Sequence, residues 1–125
     1  MARVLIATDD ARLMANVEAA VVARGHESVE AIDGQDAIGR VLADAPDMAF
    51  LDAGLTVFNG LEACEALRAH PDVPRNLPII LLSDVRIETR QLENAGVTEL
   101  FPKQFASVDI EDLLVRFLTP DRSDM

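Results

Sequence analysis

Short, continuous apolar runs alternate along this chain with segments in which apolar residues recur at helical spacing. The clearest runs are residues 4–7, 48–51 and 79–82, and each of them ends at polar or acidic residues. A run that is apolar at every position is typical of a strand buried on both faces, as in a parallel sheet covered by helices. Weaker strand patterns over residues 27–32 and 97–101 bring the total to five strands.

The segments that follow the strands predict five helices, so that strand and helix alternate five times over 125 residues. The predicted helices cover about residues 11–24, 37–45, 60–69, 86–95 and 107–118, with Ser107 as a cap. This alternation predicts a doubly wound α/β fold around a five-stranded parallel sheet of order 2-1-3-4-5. We expect residues 1–125 to form one domain, with residues 119–125 as a frayed tail or the start of a linker.

The composition argues against several classes of function. Twenty-two acidic residues against eleven basic ones give a net charge of −11, which repels nucleic acid and argues against direct DNA or RNA binding. No apolar run approaches the ~20 residues of a membrane span, so we expect no membrane insertion. The single cysteine, Cys64, lies on an apolar helical face and is interpreted as a core residue. One cysteine also suits a reducing, cytoplasmic location.

Polar and charged residues follow the predicted strands at their carboxyl ends. Asp9 and Asp10 follow the first strand, Asp52 the third and Ser83 the fourth, and Lys103 lies just beyond the fifth. In doubly wound sheets ligands bind beyond the carboxyl ends of the strands, where the winding reverses between the first and third strands. Lys103 is also the only lysine beside ten arginines, which marks a place where a compact ammonium could be needed.

These side chains suit a divalent cation and a phosphoryl group. Three carboxylates that converge must share a proton or bind a cation, and oxygen ligands in an open site favour Mg²⁺, with Mn²⁺ as second choice. Zn²⁺ is disfavoured because no histidine or cysteine follows a strand. Asp52 could attack a phosphate whose oxygens Lys103 and Ser83 then bind. Asp9 and Asp10 have an alternative role, because one of them could cap the first helix while the other binds metal.

Taken in order along the chain, the residues at the strand ends match a known family. The chain resembles the receiver domain of two-component response regulators over nearly its whole length. The residues that carry the resemblance are Asp9, Asp10, Asp52, Asn59, Gly60, Ser83 and Lys103. Each of them is a weak signal alone, but the set is specific because all of its members occur in order and at strand ends.

The resemblance implies a flavodoxin-like fold and phosphorylation of Asp52 by a sensor histidine kinase or a phosphotransfer protein. It also implies Mg²⁺ held by Asp9, Asp10, Asp52 and the backbone carbonyl of Gly54. A domain of this family promotes its own phosphorylation and dephosphorylation but is not a turnover enzyme. The family's output surface corresponds to residues 86–118, so a downstream protein target is expected there, with the chain as a monomer or weak dimer.

Four positions depart from the family's usual pattern. Thr56 and Gln104 stand where prolines are usual, and Asp84 stands where a small residue usually follows the hydroxyl. The position of the family's switch aromatic is Leu100, and the neighbouring Phe101 should face the other way because side chains alternate along a strand. The peptide bond before Gln104 is expected to be trans, because a cis bond to a residue other than proline costs ~3 kcal/mol.

These departures keep a second hypothesis open, in which a receiver-like domain binds partners without phosphorylation-driven switching. A hydrolase with an aspartate nucleophile is less favoured, because the second acid of haloacid-dehalogenase-type phosphatases would fall at Gly54. A flavin site is disfavoured too, since no glycine-rich or hydroxyl-rich phosphate loop follows the first strand.

Overall fold

A computed structural model describes residues 1–118, and the prediction of a frayed tail or linker at residues 119–125 lies outside the described residues. Strands and helices alternate as predicted. They are β1 (Arg3–Ala7), α1 (Ala11–Ala23), β2 (Glu27–Ala31), α2 (Gly34–Asp44), β3 (Met48–Asp52), α3 (Gly60–Ala69), β4 (Ile79–Leu82), α4 (Thr89–Ala95), β5 (Glu99–Phe101) and α5 (Ser107–Leu118). All strand pairs are parallel, in the order β2-β1-β3-β4-β5, which confirms the predicted doubly wound, flavodoxin-like fold.

The two faces of the sheet carry two separate hydrophobic cores. Leu5 and Leu51 pack with residues of α2, α3 and α4 on one face. Ile6 and Phe50, each one residue away, pack with residues of α1 and α5 on the other face, because side chains alternate along a strand. All four side chains are completely buried. Burial on both faces is the physical reason why these strands are apolar at every position.

Helix ends follow the signals in the sequence. Gly25 and Gly96, just beyond α1 and α4, both have a left-handed φ of 79°, a conformation that glycine adopts without steric cost. α3 begins with a capping box, in which Asn59 and Glu62 each accept a hydrogen bond from the other's backbone N–H. Cys64 on α3 is fully buried in the core, as predicted.

Two elements at the far edge of the sheet are shorter than predicted. α4 starts at Thr89 rather than at residue 86, and a turn precedes it in which the hydroxyl of Ser83 bonds to the backbone two residues on. β5 starts at Glu99 rather than at residue 97. The N–H of Ile79, the first residue of β4, donates to the hydroxyl of Thr98. A side chain therefore accepts this hydrogen bond where pairing between strand backbones was expected.

Two smaller boundaries also differ. Ser107 is the first residue of α5 rather than its cap, and the N–H of Ala106 donates to the carboxylate of Asp109. β2 ends at Ala31, so the exposed Ile32 lies beyond the strand that was predicted to include it. Within residues 1–118, no helix combines the length and the apolar character that crossing a membrane requires.

Candidate functional site

Asp52 is the last residue of β3 and one of the few polar residues that the fold buries. Only 2% of its surface is exposed. β1 and β3 pair with Ala7 opposite Leu51. The residues that follow these two in the sequence, Thr8 and Asp52, therefore meet at the end of the sheet. The hydroxyl of Thr8 donates a 2.7 Å hydrogen bond to Oδ2 of Asp52. The register of the two strands therefore places a second polar side chain directly against the predicted phosphoacceptor.

The other carboxylate oxygen of Asp52 is held by two positive or partly positive groups. The backbone N–H of Gly54 donates to Oδ1 at 2.8 Å, and Nζ of Lys103 lies 2.6 Å from the same atom. Lys103 reaches across from the loop after β5, and a quarter of its side chain remains exposed. We call Thr8, Asp52, Gly54 and Lys103 the Asp52 cluster.

The electrostatics of the Asp52 cluster favour the ionised carboxylate. Burial acts to raise the pKa of Asp52 because it disfavours charge. Hydrogen bonds from Lys103, Thr8 and Gly54, together with the charge of Lys103, outweigh that effect and leave the pKa of Asp52 below its ordinary value. At neutral pH the group is therefore a carboxylate with an ammonium beside it, the protonation state that a nucleophile needs.

Asp9 and Asp10 differ in their surroundings, although both are exposed. Oδ1 of Asp10 accepts hydrogen bonds from the backbone N–H groups of Arg12 and Leu13, so Asp10 is the N-cap of α1. Within residues 1–118, no three acidic, histidine or cysteine side chains lie close enough together to form a metal site by themselves. The cap engages Oδ1 of Asp10 and does not involve its Oδ2.

Even so, the donors at this edge fit a hydrated magnesium ion. Asp9, Asp10, Asp52 and the backbone carbonyl of Gly54 offer oxygen only, and Mg²⁺ is commonly bound through one or two carboxylates while it keeps several waters. The chemistry of these donors therefore suits Mg²⁺. Gly54 has no side chain, so the space beside Oδ1 of Asp52 and Nζ of Lys103, from which a Cβ would lie 3.4 Å and 3.7 Å, stays open.

Ser83 follows β4 at the same edge of the sheet and is buried. Its hydroxyl donates to the carbonyl of Val85 at 2.9 Å and accepts from the N–H of Val85 at 3.1 Å. Its own N–H donates to the carbonyl of Phe101, which ties it to β5. Ser83 thus stands at the predicted edge, but its hydroxyl is bonded to its own turn and not to Asp52.

The departures from the family pattern have definite positions in the structure. Leu100 packs with the core of α2, α3 and α4, and Phe101 packs with the core of α1 and α5, so the two side chains face opposite sides as predicted. Phe101 instead lies against Phe105, with ring centroids 6.3 Å apart. The peptide bond before Gln104 is trans, which confirms that expectation. Asp84 is exposed beside the Ser83 turn.

Thr8 is the site residue that sequence reasoning missed. The charged pair Asp9 and Asp10 beside it is a more conspicuous signal in the sequence. The signal for Thr8 is its spacing: it continues the alternation of Val4 and Ile6, which predicts that it shares their face of the sheet. Its place opposite Asp52 depends on the register of β1 and β3, which the sequence does not give.

Comparison with known proteins agrees with this geometry. The family model described as "Response regulator receiver domain" matches residues 4–115. Among curated proteins, Response regulator MprA of Mycolicibacterium vanbaalenii is 32% identical over 116 residues, which cover 91% of this chain and 48% of that protein. Response regulator MprA of Mycobacterium tuberculosis matches to the same extent. The chain spans about half the length of the curated relatives that it matches.

Solved structures agree on the fold. Chemotaxis response regulator CheY4 of Vibrio cholerae superposes with a TM-score of 0.86 at 24% identity, over 94% of this chain and 98% of that one. The receiver domain of sensor histidine kinase PA1611 from Pseudomonas aeruginosa, solved with a magnesium ion in its active site cleft, gives 0.83 at 22% identity, over 95% and 98%. With the family model covering nearly the whole chain, this protein belongs to the response regulator receiver domain family of two-component signalling.

Proposed function

We propose that Asp52 accepts a phosphoryl group from the phosphohistidine of a sensor histidine kinase or a phosphotransfer protein, in the presence of Mg²⁺. The observation that carries the proposal is the Asp52 cluster: a buried, ionised carboxylate at the switch point of the sheet, with an ammonium 2.6 Å from it. An ionised carboxylate is a nucleophile, and the ammonium of Lys103 can pair with the negative charge of the phosphoryl group that it accepts.

The transfer follows from the chemistry of these groups. A carboxylate oxygen of Asp52 attacks phosphorus, the P–O bond forms as the P–N bond breaks, and the electron pair of that bond leaves with the imidazole. Lys103 then pairs with a phosphoryl oxygen, while Thr8 and the N–H of Gly54 hold the carboxyl group in place. Asp9, Asp10, Asp52 and the carbonyl of Gly54 would hold Mg²⁺, which neutralises phosphoryl charge when bound. Later attack by water on phosphorus breaks its bond to the Asp52 oxygen, releases inorganic phosphate and restores the carboxylate. The phosphoryl group is thus a reversible signal on the domain.

Ser83 and the segment after it are the proposed route of the signal. A phosphoryl group on Asp52 offers new acceptor oxygens, toward which the Ser83 hydroxyl would rotate from its bonds with Val85. The surface formed by residues 86–118, which we call the output segment, would then change its affinity for a downstream protein. We place the domain in the cytoplasm, where its proposed phosphodonor would be, and expect a monomer or weak dimer.

The proposal is tested with beryllofluoride, an analogue of the phosphoryl group. We expect Mg²⁺-dependent chemical-shift changes in the amide NMR spectrum, largest near residue 52, for the wild type and for Asp72→Asn, a control in an exposed loop. Asp52→Asn should show no such shift changes, because an amide lacks the carboxylate oxygen to which beryllofluoride binds. A wild type that gives no Mg²⁺-dependent shift at millimolar metal would refute the proposal.

Two observations support the second hypothesis, a domain that binds its partner without switching. The hydroxyl of Ser83 both donates to and accepts from the backbone of Val85, and no aromatic side chain shares the face of Leu100 on β5. The same titration separates the two functions. If beryllofluoride shifts signals around Asp52 while those of the output segment stay unchanged, phosphorylation and output are uncoupled.

A further inference from the structure

The hydroxyl of Thr8 is fixed by hydrogen bonds on both of its sides. Its oxygen accepts a 3.1 Å hydrogen bond from the N–H of Asp10, and it donates the 2.7 Å bond to Oδ2 of Asp52. The backbone N–H can only donate and the ionised carboxylate can only accept, so the proton of the Thr8 hydroxyl must point at Asp52. With Thr8 only 2% exposed, water does not compete for this proton.

The two oxygens of Asp52 differ in what they could offer a cation. Oδ1 faces the ammonium of Lys103 and the N–H of Gly54, so a cation there would meet positive charge. Oδ2 faces only the neutral hydroxyl of Thr8. It also lies toward β1, from which Asp9 follows. Oδ2 is therefore the oxygen through which Asp52 would bind a divalent cation.

We infer that Thr8 is a positioning residue whose hydrogen bond to Oδ2 of Asp52 weakens the binding of Mg²⁺ through that oxygen. The inference rests on the proposed function, because it takes Asp52 as a metal ligand. An oxygen that accepts a short, charge-assisted hydrogen bond is a poorer electron donor to a cation, and one of its two lone pairs is already used. Thr8 also supplies Oδ2 of Asp52 with a hydrogen-bond donor, so this buried carboxylate oxygen has a partner that does not depend on metal.

The test is a Mg²⁺ titration of the full chain followed by amide NMR. Thr8→Val keeps the shape but removes the hydroxyl, and we expect it to bind Mg²⁺ about fivefold more tightly, since the loss of one such hydrogen bond corresponds to ~1 kcal/mol. Thr8→Ser keeps the hydroxyl and should stay within about twofold of the wild type. Thr98→Val is the matched control, because it removes a threonine hydroxyl that bonds to Ile79 and Arg68 far from Asp52.

Thermal unfolding without metal separates this role from a purely structural one. Thr8→Val and Thr98→Val should both lose stability, but only Thr8→Val should gain Mg²⁺ affinity. If Thr8→Val does not fold, Thr8→Cys, whose thiol is a weak donor, should show a smaller tightening. Unchanged or weaker Mg²⁺ binding by Thr8→Val, or by Thr8→Cys if Thr8→Val does not fold, overturns the inference. Beryllofluoride binding by the wild type at saturating Mg²⁺ is a separate measurement, so the inference can fail while the proposed function stands, and the reverse.

Discussion

The carboxyl edge of the sheet has two regions that are built in different ways. At the β1–β3 end, Asp52 is held by Thr8 and Lys103, which come from two distant segments of the chain, and by the N–H of Gly54, two residues on. At the β4–α4 end, the hydroxyl of Ser83 bonds only within its own turn. The helix that follows has seven residues and no side-chain cap.

This difference teaches which part of the site is preorganised. A carboxylate fixed by long-range contacts keeps its orientation unless the sheet itself rearranges. A turn held by local bonds can change shape at small cost, and local structure of this kind is typical of elements that move. The Asp52 carboxylate, the proposed phosphoacceptor, is thus held in place by its contacts, while the Ser83 turn and α4 are the elements suited to respond.

The largest effect is expected where the loop after Asp52 packs against the start of α2. Gly34→Ala would place a Cβ in steric overlap with the backbone carbonyl of Phe58, so the loop must move. We expect a loss of about 2–3 kcal/mol in the free energy of unfolding, measured by urea denaturation. Gly39→Ala in the same helix meets nothing within 4 Å and should stabilise the protein by about 0.5–1 kcal/mol. Equal effects for the two variants would contradict this picture.

Removing the ammonium tests how far one partner controls Asp52. Lys103→Met keeps the apolar stem but leaves Oδ1 with only the N–H of Gly54. We expect a loss of about 1–2 kcal/mol in stability and a rise in the pKa of Asp52, followed by carboxyl-carbon NMR. Lys103→Arg retains the charge and should raise that pKa less. A pKa of Asp52 that does not change in Lys103→Met would show that Thr8 and Gly54 hold the carboxylate by themselves.

The pH dependence of stability gives a third, smaller effect. Because the pKa of Asp52 is lowered in the folded state, its carboxylate stabilises the protein above the ordinary aspartate pKa of ~3.9, and that stabilisation disappears as the pH falls through the lowered value. Asp52→Asn lacks this group. Its free energy of unfolding should therefore fall less steeply than that of the wild type below about pH 5. Parallel acid curves for the two proteins would count against the lowered pKa.

The smallest effect is expected in the Ser83 turn, whose hydrogen bonds are local. Ser83→Ala loses a hydroxyl that bonds only to Val85, so we expect a stability loss of about 0.5–1.5 kcal/mol. Beryllofluoride should still shift signals near Asp52, but signals of the output segment should move less than in the wild type. Ser83→Thr, which keeps the hydroxyl, should restore them. A full response of the output segment in Ser83→Ala would exclude this residue from the route of the signal.

Much of the fold was predictable because its signals are local. Each apolar run forms a buried strand. Gly25 and Gly96 lie just beyond α1 and α4, where the backbone adopts a left-handed conformation. The larger errors lie at the far edge, where the pattern of β5 is weak. There the hydroxyl of Thr98 accepts a hydrogen bond where β5 was predicted to extend, and a turn held by the hydroxyl of Ser83 precedes the shortened α4. Hydroxyl bonds of this kind depend on what lies nearby in space, which residue type alone does not state.

The candidate site divides in the same way. Asp52 and Lys103 were predictable from the sequence, because a charge at the end of an apolar strand and a single lysine are visible in the residue order. Whether Asp9 or Asp10 caps α1 was left open, and the structure assigns the cap to Asp10 through its bonds to the first turn. Thr8 became a partner of Asp52 only through the register of β1 and β3. Residue order determines which groups reach the edge of the sheet, but hydrogen bonds act over about 3 Å, so only the tertiary structure decides which of them meet.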